Sequence, residues 1–410
     1  MSGRRSDRPR RWLRGITIVL GAVALSVVVV RVFVGDVFPV SSASMRPTIW
    51  AGPTGPGEPA ETAWVWVTYD RSTPRRYELL VLRAEDDGEP LVKRALGLPG
   101  ERVRLSRGDL FVDGALLGYE SWRLVPLWSS RHQPWESWLQ LRSSDGLGWR
   151  PDEGALEVRA SESGSVAGSA HLELHKPARD GCLAPDGTRE PGAAEVNDLA
   201  VDLEFSHPAE AEGAVLAVTL TEAGDAFTCV LDLRDGAWTA RLWRTALGAP
   251  LPPFEDEAAA AAELLAQGPA TSPAGSGGAL RFANVDDELV VSTGGAVVLT
   301  HRYERNRPHE RPGVAKEHPG ARLVVRSDRV GLRLSSLVVQ RDLTWFPEGE
   351  FAVHEELILG PEEVFVLGDN ARVSTDSRRF GPVDLRRIRG RVTRAVWPAE
   401  ARRRPLLGVD

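Results

Sequence analysis

One serine in this chain lies in a setting that suits a nucleophile. Ser44 is flanked by small residues and is followed by Met45 and Pro47, in the stretch Val40–Thr48. A serine hydroxyl becomes a good nucleophile only when a neighbouring base removes its proton. The chain must therefore supply Ser44 with a base, and histidine is the usual one.

The histidines offer no good partner for Ser44. Only His354 lies in the segments that flank the middle of the chain, and no motif surrounds it. The other seven histidines all lie in that middle region: His132, His171, His175, His207, His301, His309 and His318. A Ser/His/Asp triad therefore lacks a candidate for its base.

Lys93 is the alternative base. Burial among apolar groups lowers the pKa of a lysine ammonium by several units, and Lys93 stands among apolar residues. The chain has only two other lysines, Lys176 and Lys316, among its many arginines. Arginine could not replace a lysine base, because its guanidinium stays protonated. From this segment alone, a buried base and a surface lysine on an edge strand are equally compatible with the sequence.

An apolar run lies shortly before the Ser44 segment. Residues 16–34 contain a single charge, at Arg31, and as a helix they would span roughly 28 Å, close to the thickness of the hydrocarbon core. We therefore predict a transmembrane helix over residues 15–35. The alternative is a cleaved signal peptide, with Ser41 and Ala43 at its cleavage site.

The residues before this run predict its orientation. The tail 1–14 contains six arginines and one aspartate. By the positive-inside rule, the amino terminus then lies in the cytosol. We expect a single-pass protein of the cytoplasmic membrane whose remaining domains lie on the outer (periplasmic or extracytoplasmic) face.

The rest of the chain has the pattern of strands and turns. Residues 119–349 alternate apolar and polar positions in many evenly spaced runs, which is typical of an antiparallel β-sandwich. We predict a mainly β protein in which a β-rich domain, formed by residues 36–118 and 350–400, is interrupted by this sandwich. The Ala-rich stretch Glu255–Gln267 predicts one short surface helix, and residues 401–410 a loose tail.

Composition narrows the classes of function. The net charge is −7 and the basic excess is confined to the amino-terminal tail, so a nucleic-acid-binding surface is not expected. Two cysteines without a neighbouring His/Cys cluster cannot form a zinc site, and we predict no metal and no cofactor. Cys182 and Cys229 either pair as a disulfide in an exported domain or are small buried side chains.

Three motifs, in order after the apolar run, resemble type I signal peptidase. They are Ser-Ala-Ser-Met-Arg-Pro-Thr at 42–48, Val-Lys-Arg-Ala-Leu-Gly-Leu-Pro-Gly-Glu at 92–101, and Gly-Asp-Asn-x3-Ser-x-Asp-Ser-Arg at 368–378. The resemblance covers about residues 15–118 and 350–398. It implies a β-rich serine endopeptidase that removes signal peptides from exported preproteins through an acyl-enzyme.

The resemblance also implies roles for individual residues. Ser44 matches the nucleophile and Lys93 its general base, which decides between the two interpretations of Lys93. The backbone N–H of Ser44 and the hydroxyl of Ser42 match the oxyanion hole, and Ser374 matches the hydroxyl that orients the lysine. Four charged residues match groups that brace the site: Arg94, Asp369, Asp376 and Arg378.

This chain departs from the family pattern in one turn and, most of all, in its large insertion. Arg76-Tyr77-Glu78 replaces the family's Arg-Gly-Asp, which leaves the conformation of that turn open. The insertion at 119–349 resembles a concanavalin-like sandwich, so it could be a spacer or lid, or it could bind a glycan or another cell-envelope ligand. We otherwise expect preprotein signal peptides and the lipid bilayer as partners. The alternatives are a processing peptidase with one dedicated substrate and a membrane-tethered glycan-binding protein on an inactive peptidase frame.

Met45 has one further interpretation. Its side chain stands next to the nucleophile and close to the expected membrane surface. We therefore predict that Met45 is an apolar peg at the bilayer or the substrate groove.

Overall fold

The computed structural model describes most of the chain. The described residues are 16–23, 25–26, 34–53, 60–70, 72–83, 89–106, 108–143, 146–160, 169–174, 178–184, 186–207, 215–222, 224–233, 238–249, 262–270, 277–303, 323–327, 329–397 and 406. The predicted basic tail, part of the predicted transmembrane helix and the predicted loose tail except Leu406 lie outside these residues.

The chain divides into two compact units. The first combines Met1–Ala115 with Trp345–Asp410, and the second is Leu116–Thr344. Strands dominate the described parts of both units, which confirms the prediction of a mainly β protein. The domain boundaries given above stay predictions.

The strands of the first unit come from both of its segments. They are β1 (Gly35–Val40), β2 (Ala63–Thr68), β3 (Leu79–Leu82), β4 (Leu91–Gly97), β5 (Arg102–Ser106), β6 (Asp109–Val112), β7 (Ala115–Leu116, at the boundary), β25 (Leu357–Ile358), β26 (Glu363–Leu367), β27 (Val383–Asp384) and β28 (Ile388–Trp397). The unit also contains a one-turn helix, α1 (Ser377–Phe380), and 3₁₀ turns at Ala43–Met45 and Leu385–Arg387.

The first unit is built on a seven-stranded antiparallel sheet in the order β1-β2-β28-β3-β4-β26-β27. Alternation along β2 shows how the sheet forms its core: Val65 and Val67 are buried, whereas Trp64 is exposed on the other face. Because β28 lies between β2 and β3, and β26 pairs with β4, the carboxyl-terminal segment completes the sheet that the amino-terminal segment begins. A smaller sheet has the order β25-β5-β6-β7.

The second unit contains the remaining strands. They are β8 (Val125–Ser129), β9 (Leu139–Ser143), β10 (Leu147–Asp152), β11 (Ala155–Ala160), β12 (Ala170–Leu174), β13 (Cys182–Leu183), β14 (Arg189–Glu190), β15 (Leu199–Ser206), β16 (Val215–Glu222), β17 (Asp225–Asp232), β18 (Trp238–Ala246), β19 (Ala262–Ala270), β20 (Gly277–Val285), β21 (Glu288–Thr293), β22 (Ala296–Arg302), β23 (Leu323–Ser327) and β24 (Arg333–Arg341), with 3₁₀ turns at Ser121–Arg123 and Trp135–Ser137.

Two antiparallel sheets make up most of the second unit. One has the order β10-β11-β24-β15-β20-β21-β22, with β8 added beside β24, and the other has the order β19-β18-β17-β16-β23-β12-β9. One apolar cluster takes residues from both sheets, for example Phe282 from the first and Phe227 from the second. This arrangement agrees with the predicted antiparallel sandwich.

Both cysteines are buried, and they do not form a disulfide with each other. Cys229 lies in the apolar core of the second unit, where burial raises the pKa of its thiol to about 12. The sulfur of Cys182 lies 3.6 Å from a carboxylate oxygen of Glu190. The sequence left open whether the cysteines pair as a disulfide or are small buried side chains, and the structure has the second arrangement.

The helix predicted at Glu255–Gln267 is wrong where the structure describes it. Residues Ala262–Ala270 form strand β19, which pairs with β18 from Thr245 to Trp238. The Ala- and Leu-rich composition favours a helix locally, but pairing with a neighbouring strand overrides that preference. Residues 255–261 lie outside the described residues.

The predicted transmembrane helix is not confirmed. Residues 16–23 and 25–26 are helical. Within the part of the chain that the structure describes, no helix combines the length and the apolar character needed to cross a bilayer.

Candidate active site

Ser44 lies in a single 3₁₀ turn that follows strand β1. The N–H of Arg46 closes this turn by donating to the carbonyl of Ala43 at 3.1 Å. Ser42 precedes the turn in extended conformation. The Ser44 side chain is mostly buried, with 7% of its surface exposed. The turn thus holds the hydroxyl in a sheltered position rather than on an open loop.

Met45 anchors this turn in the core. Its side chain is fully buried, in an apolar cluster with Phe38, Val40 and Ile49. The prediction that Met45 is a peg at the bilayer or the substrate groove is therefore wrong. The residue next to Ser44 thus faces the core of the sheet.

Lys93 comes from strand β4, which lies between β3 and β26. Its side chain is 2% exposed. The amine Nζ donates to Ser44 Oγ at 3.0 Å and to the carbonyl of Val92 at 3.0 Å. The structure thus brings together two residues that are 49 positions apart in sequence, at a distance suitable for proton transfer.

Burial lowers the pKa of Lys93, which favours its neutral form. Removal from water lowers the pKa of Lys93 from 10.5 to about 8, because the charged form loses its hydration. The carboxylates of Asp376 and Asp369 act in the opposite direction and keep the pKa from falling further. About a tenth of the amine is therefore neutral at pH 7, far more than for a lysine with the ordinary pKa. Within the first unit the sequence offers His354 as the alternative base, and that side chain is exposed.

Ser42 lies beside the nucleophile. The two hydroxyl oxygens, Ser42 Oγ and Ser44 Oγ, are 3.1 Å apart. Ser42 is exposed, in contrast to Ser44. The predicted oxyanion-hole hydroxyl is thus next to the reacting atom and open to an incoming carbonyl.

Ser374 lies in the site but does not bond Lys93. Its side chain is 3% exposed, and among the described residues its hydroxyl has no hydrogen-bond partner. The second hydrogen bond of Lys93 goes to the carbonyl of Val92 instead. Ser374 packs against Gly368, where an added Cβ would lie 2.2 Å from Ser374 Oγ and 2.5 Å from the carbonyl oxygen of Ser44. Glycine is required there because three segments meet.

Two buried ion pairs involve all four residues predicted to brace the site. Arg94 binds Asp369 with two hydrogen bonds, Nε to Oδ1 at 2.8 Å and Nη2 to Oδ2 at 2.6 Å. Arg378 binds Asp376 in the same two-pronged way, with both distances 2.9 Å. Planar pairs of this kind fix both position and orientation.

Each ion pair ties separate segments together. Arg94 also donates to the carbonyl of Tyr77 at 2.8 Å, and Arg378 donates to the carbonyls of Phe346 at 2.9 Å and Ala371 at 2.7 Å. Asp376 accepts from the N–H of Gly368 at 3.0 Å. The loop after β26 is therefore held in place on both sides of Lys93.

The turn that departs from the family pattern is strained. Tyr77 has a φ of +74°, a left-handed conformation that costs about 1 kcal/mol for a side chain other than glycine. Its N–H donates to the carbonyl of Ala95 at 2.7 Å, and its own carbonyl accepts from Arg94. A left-handed conformation favours glycine, which accounts for the glycine in the family's Arg-Gly-Asp. Here the hydrogen bonds on either side of Tyr77 hold its left-handed conformation.

Sequence reasoning missed two groups of the site. The N–H of Asn370 donates to the carbonyl of Ser44 at 3.0 Å, which joins the loop after β26 to the nucleophile turn. The hydroxyl of Thr48 binds both Arg94 and Asp369. Both residues stand inside the quoted motifs, but no pattern in a single sequence indicates a contact across 321 positions.

Two stretches of the chain, residues 10–133 and 334–397, match the family described as "Signal peptidase, peptidase S26". These stretches contain all the site residues described above. The resemblance to type I signal peptidase is thereby confirmed for this part of the chain.

Curated relatives match parts of this chain. A probable signal peptidase I-2 of Synechocystis is 30% identical over 112 residues, which are 26% of this chain and 48% of that protein. Signal peptidase I P of Bacillus subtilis subsp. natto is 31% identical over 105 residues, 25% of this chain and 50% of that protein. The human mitochondrial inner membrane protease subunit 1 is 38% identical over 66 residues, 16% and 39% of the two chains. The chain thus spans half or less of the length of these relatives.

The solved structures that match this chain are more distant. The CBM2 module of an evolved Dit protein from Lactobacillus casei BL23 phage J-1 covers 55% of this chain and 98% of its own, at 8% identity and a TM-score of 0.35. A protein of unknown function with a galectin-like fold from Bacillus subtilis covers 53% and 96%, at 13% identity and a TM-score of 0.34. Matches with TM-scores this low do not indicate a ligand for the insertion.

Proposed function

We propose that this protein is a serine endopeptidase that removes signal peptides from exported preproteins, with Ser44 as nucleophile and Lys93 as general base. The observation that carries the proposal is the 3.0 Å hydrogen bond from the buried Lys93 amine to Ser44 Oγ. The match of the surrounding domain to the signal peptidase family supports the choice of substrate.

The reaction begins with neutral Lys93. As Ser44 Oγ attacks the scissile carbonyl, the Lys93 amine accepts its proton. The negative charge that develops on the carbonyl oxygen accepts hydrogen bonds from the N–H of Ser44 and the hydroxyl of Ser42. Each such donor can contribute about 3 kcal/mol to the transition state.

The second half of the reaction uses the same base. The Lys93 ammonium returns its proton to the nitrogen of the leaving chain, and an ester links the signal peptide to Ser44. Neutral Lys93 then takes a proton from water, whose oxygen attacks the ester. Collapse of the intermediate breaks the bond to Ser44 Oγ and returns the proton to the serine.

The substrate would bind in extended conformation. A signal peptide beside the strand that leads to Ser44 could pair with its backbone, and small pockets would accept small side chains at the −1 and −3 positions. Membrane anchoring through residues 15–35, with the domains on the outer face, is part of this proposal. It rests on the apolar run 16–34 and the arginines before it.

The pH dependence of cleavage tests the role of Lys93. A lysine with a pKa of about 8 is protonated below that pH and cannot accept the serine proton. We expect kcat/KM for a preprotein to fall about tenfold per pH unit below pH 8 and to level off above it. Purified protein in detergent, assayed from pH 6 to 10 with a constant-ionic-strength buffer, provides the measurement.

A profile with its rise near pH 6.5 would indicate a histidine base and would contradict the assignment of Lys93. A profile that is flat across pH 6–10 would also contradict the assignment of Lys93 as the base. The His354→Gln protein is the matched control, because the exposed His354 is not expected to influence the profile.

A further inference from the structure

Thr48 lies within the first motif, but the motif indicates no role for its side chain. Its hydroxyl donates to Asp369 Oδ2 and accepts from Arg94 Nη2 at 3.2 Å. The residue is 9% exposed, and the side chains of Arg94 and Asp369 are completely buried. The hydroxyl therefore forms the third member of a buried network rather than a solvated surface contact.

The three members of this network come from three segments: the one with Ser44, the strand with Lys93, and the loop after β26. Thr48 follows Ser44 by four residues, Arg94 follows Lys93 on strand β4, and Asp369 begins the loop after β26. Their contacts therefore fix the nucleophile segment, the strand of the base and the intervening loop relative to one another.

The nucleophile segment is held to the loop at two points. One is the hydrogen bond from the N–H of Asn370 to the carbonyl of Ser44, at 3.0 Å. The other is the bond from Thr48 to Asp369. Two points define an orientation, whereas a single hydrogen bond leaves the segment free to pivot. A pivot at this place changes the distance between Ser44 Oγ and Lys93 Nζ.

We propose that Thr48 is a positioning residue of the dyad: its hydroxyl, bound to Asp369 and Arg94, sets the distance between the serine nucleophile and the lysine base. The inference rests on the proposed function and adds a residue to it. Thr48 does not touch the substrate in this account, so its removal affects the chemical step and not binding.

The network also influences the pKa of Lys93 through its charges. The charged groups around the amine are the carboxylates of Asp369 and Asp376, each paired with an arginine, Arg94 or Arg378. Both carboxylates raise the pKa of Lys93 against the effect of burial. Removing the Thr48 donor leaves the negative charge of Asp369 less compensated, so the rise of activity with pH moves to higher pH.

The test compares variants that differ in one hydroxyl. Thr48→Val keeps the side-chain shape and removes the hydroxyl, and Thr48→Ser keeps the hydroxyl. Thr68→Val is the matched control, because the Thr68 hydroxyl makes only a long contact of 3.4 Å to the carbonyl of Arg391. A fluorophosphonate probe that labels activated serines measures Ser44 reactivity from pH 6 to 10 without a peptide substrate.

We expect Thr48→Val to be labelled at Ser44 about tenfold more slowly than wild type, with its midpoint at higher pH. With a preprotein substrate, kcat falls by the same factor and KM is unchanged. Thr48→Ser restores the rate to within about twofold, and Thr68→Val equals wild type. If Thr48→Val does not fold by circular dichroism, Thr48→Cys replaces it. The thiol is a weaker donor, so we expect an intermediate rate.

Two outcomes overturn the inference, and they are distinguishable. If wild type is labelled and cleaves preprotein while Thr48→Val matches the Thr68→Val control in rate and midpoint, Thr48 is not a positioning residue and the proposed function stands. If wild type cleaves no preprotein and its Ser44 is not labelled at any pH, the proposed function fails, and the role of Thr48 fails with it.

Discussion

Replacing Lys93 by arginine is expected to lower kcat for preprotein cleavage by about 10³-fold or more, the effect of losing a general base. The guanidinium keeps a positive charge and can still donate to Ser44, but it does not release its proton in the accessible pH range. The change therefore separates the proton-accepting role of Lys93 from its charge and its hydrogen bond.

The chain offers a matched control for this substitution. Lys316 lies between the two stretches that match the peptidase family, so Lys316→Arg is expected to cleave at the wild-type rate. Both variants are compared with wild type in a preprotein cleavage assay, after circular dichroism has established that they fold alike. Full activity in folded Lys93→Arg would exclude a deprotonated lysine from the mechanism.

Breaking the ion pair between Arg94 and Asp369 is expected to have the largest effect on stability. Arg94→Ala leaves the fully buried Asp369 carboxylate without its bidentate partner, and the carbonyl of Tyr77 loses a donor. Removing one member of a buried pair costs about 3–5 kcal/mol, because an uncompensated charge stays in a low-dielectric interior. Urea denaturation followed by tryptophan fluorescence measures the change in the free energy of unfolding.

An exposed ion pair in the same unit provides the control. Arg386 binds Asp384 within two residues, and the Arg386 side chain is largely exposed to solvent. Arg386→Ala is expected to leave the unfolding midpoint unchanged within error, because such pairs contribute little in water. If Arg94→Ala and Arg386→Ala unfold at the same urea concentration, the buried network does not hold the site together.

The dyad was predicted from the family resemblance of three short motifs, since the residues around Lys93 alone left its role open. The small residues around Ser44 and the apolar neighbours of Lys93 are each visible within ten positions. Strand alternation was equally informative, as in β2, where Val65 and Val67 enter the core. Patterns of this kind follow from the two-residue period of a strand and need no knowledge of partners.

Long-range pairing set the limit of what the sequence could indicate. The Ala-rich segment that becomes β19 has a helical preference, and only its neighbour β18 makes it a strand. Met45 stands beside the nucleophile in sequence, yet the fold of the sheet places it in the core. The hydrogen bond between Thr48 and Asp369 depends on how β26 pairs with β4. No local pattern specifies any of these outcomes.

The most direct measurement of the central claim is the identity of the residue that carries the acyl group. Purified wild-type protein is mixed with a synthetic signal peptide, quenched in acid within milliseconds, digested and analysed by mass spectrometry. The account predicts that the amino-terminal part of the substrate is attached as an ester to Ser44, and that Ser44→Ala carries no adduct. Cleavage without an adduct, or an adduct on another residue, would contradict Ser44 as the nucleophile.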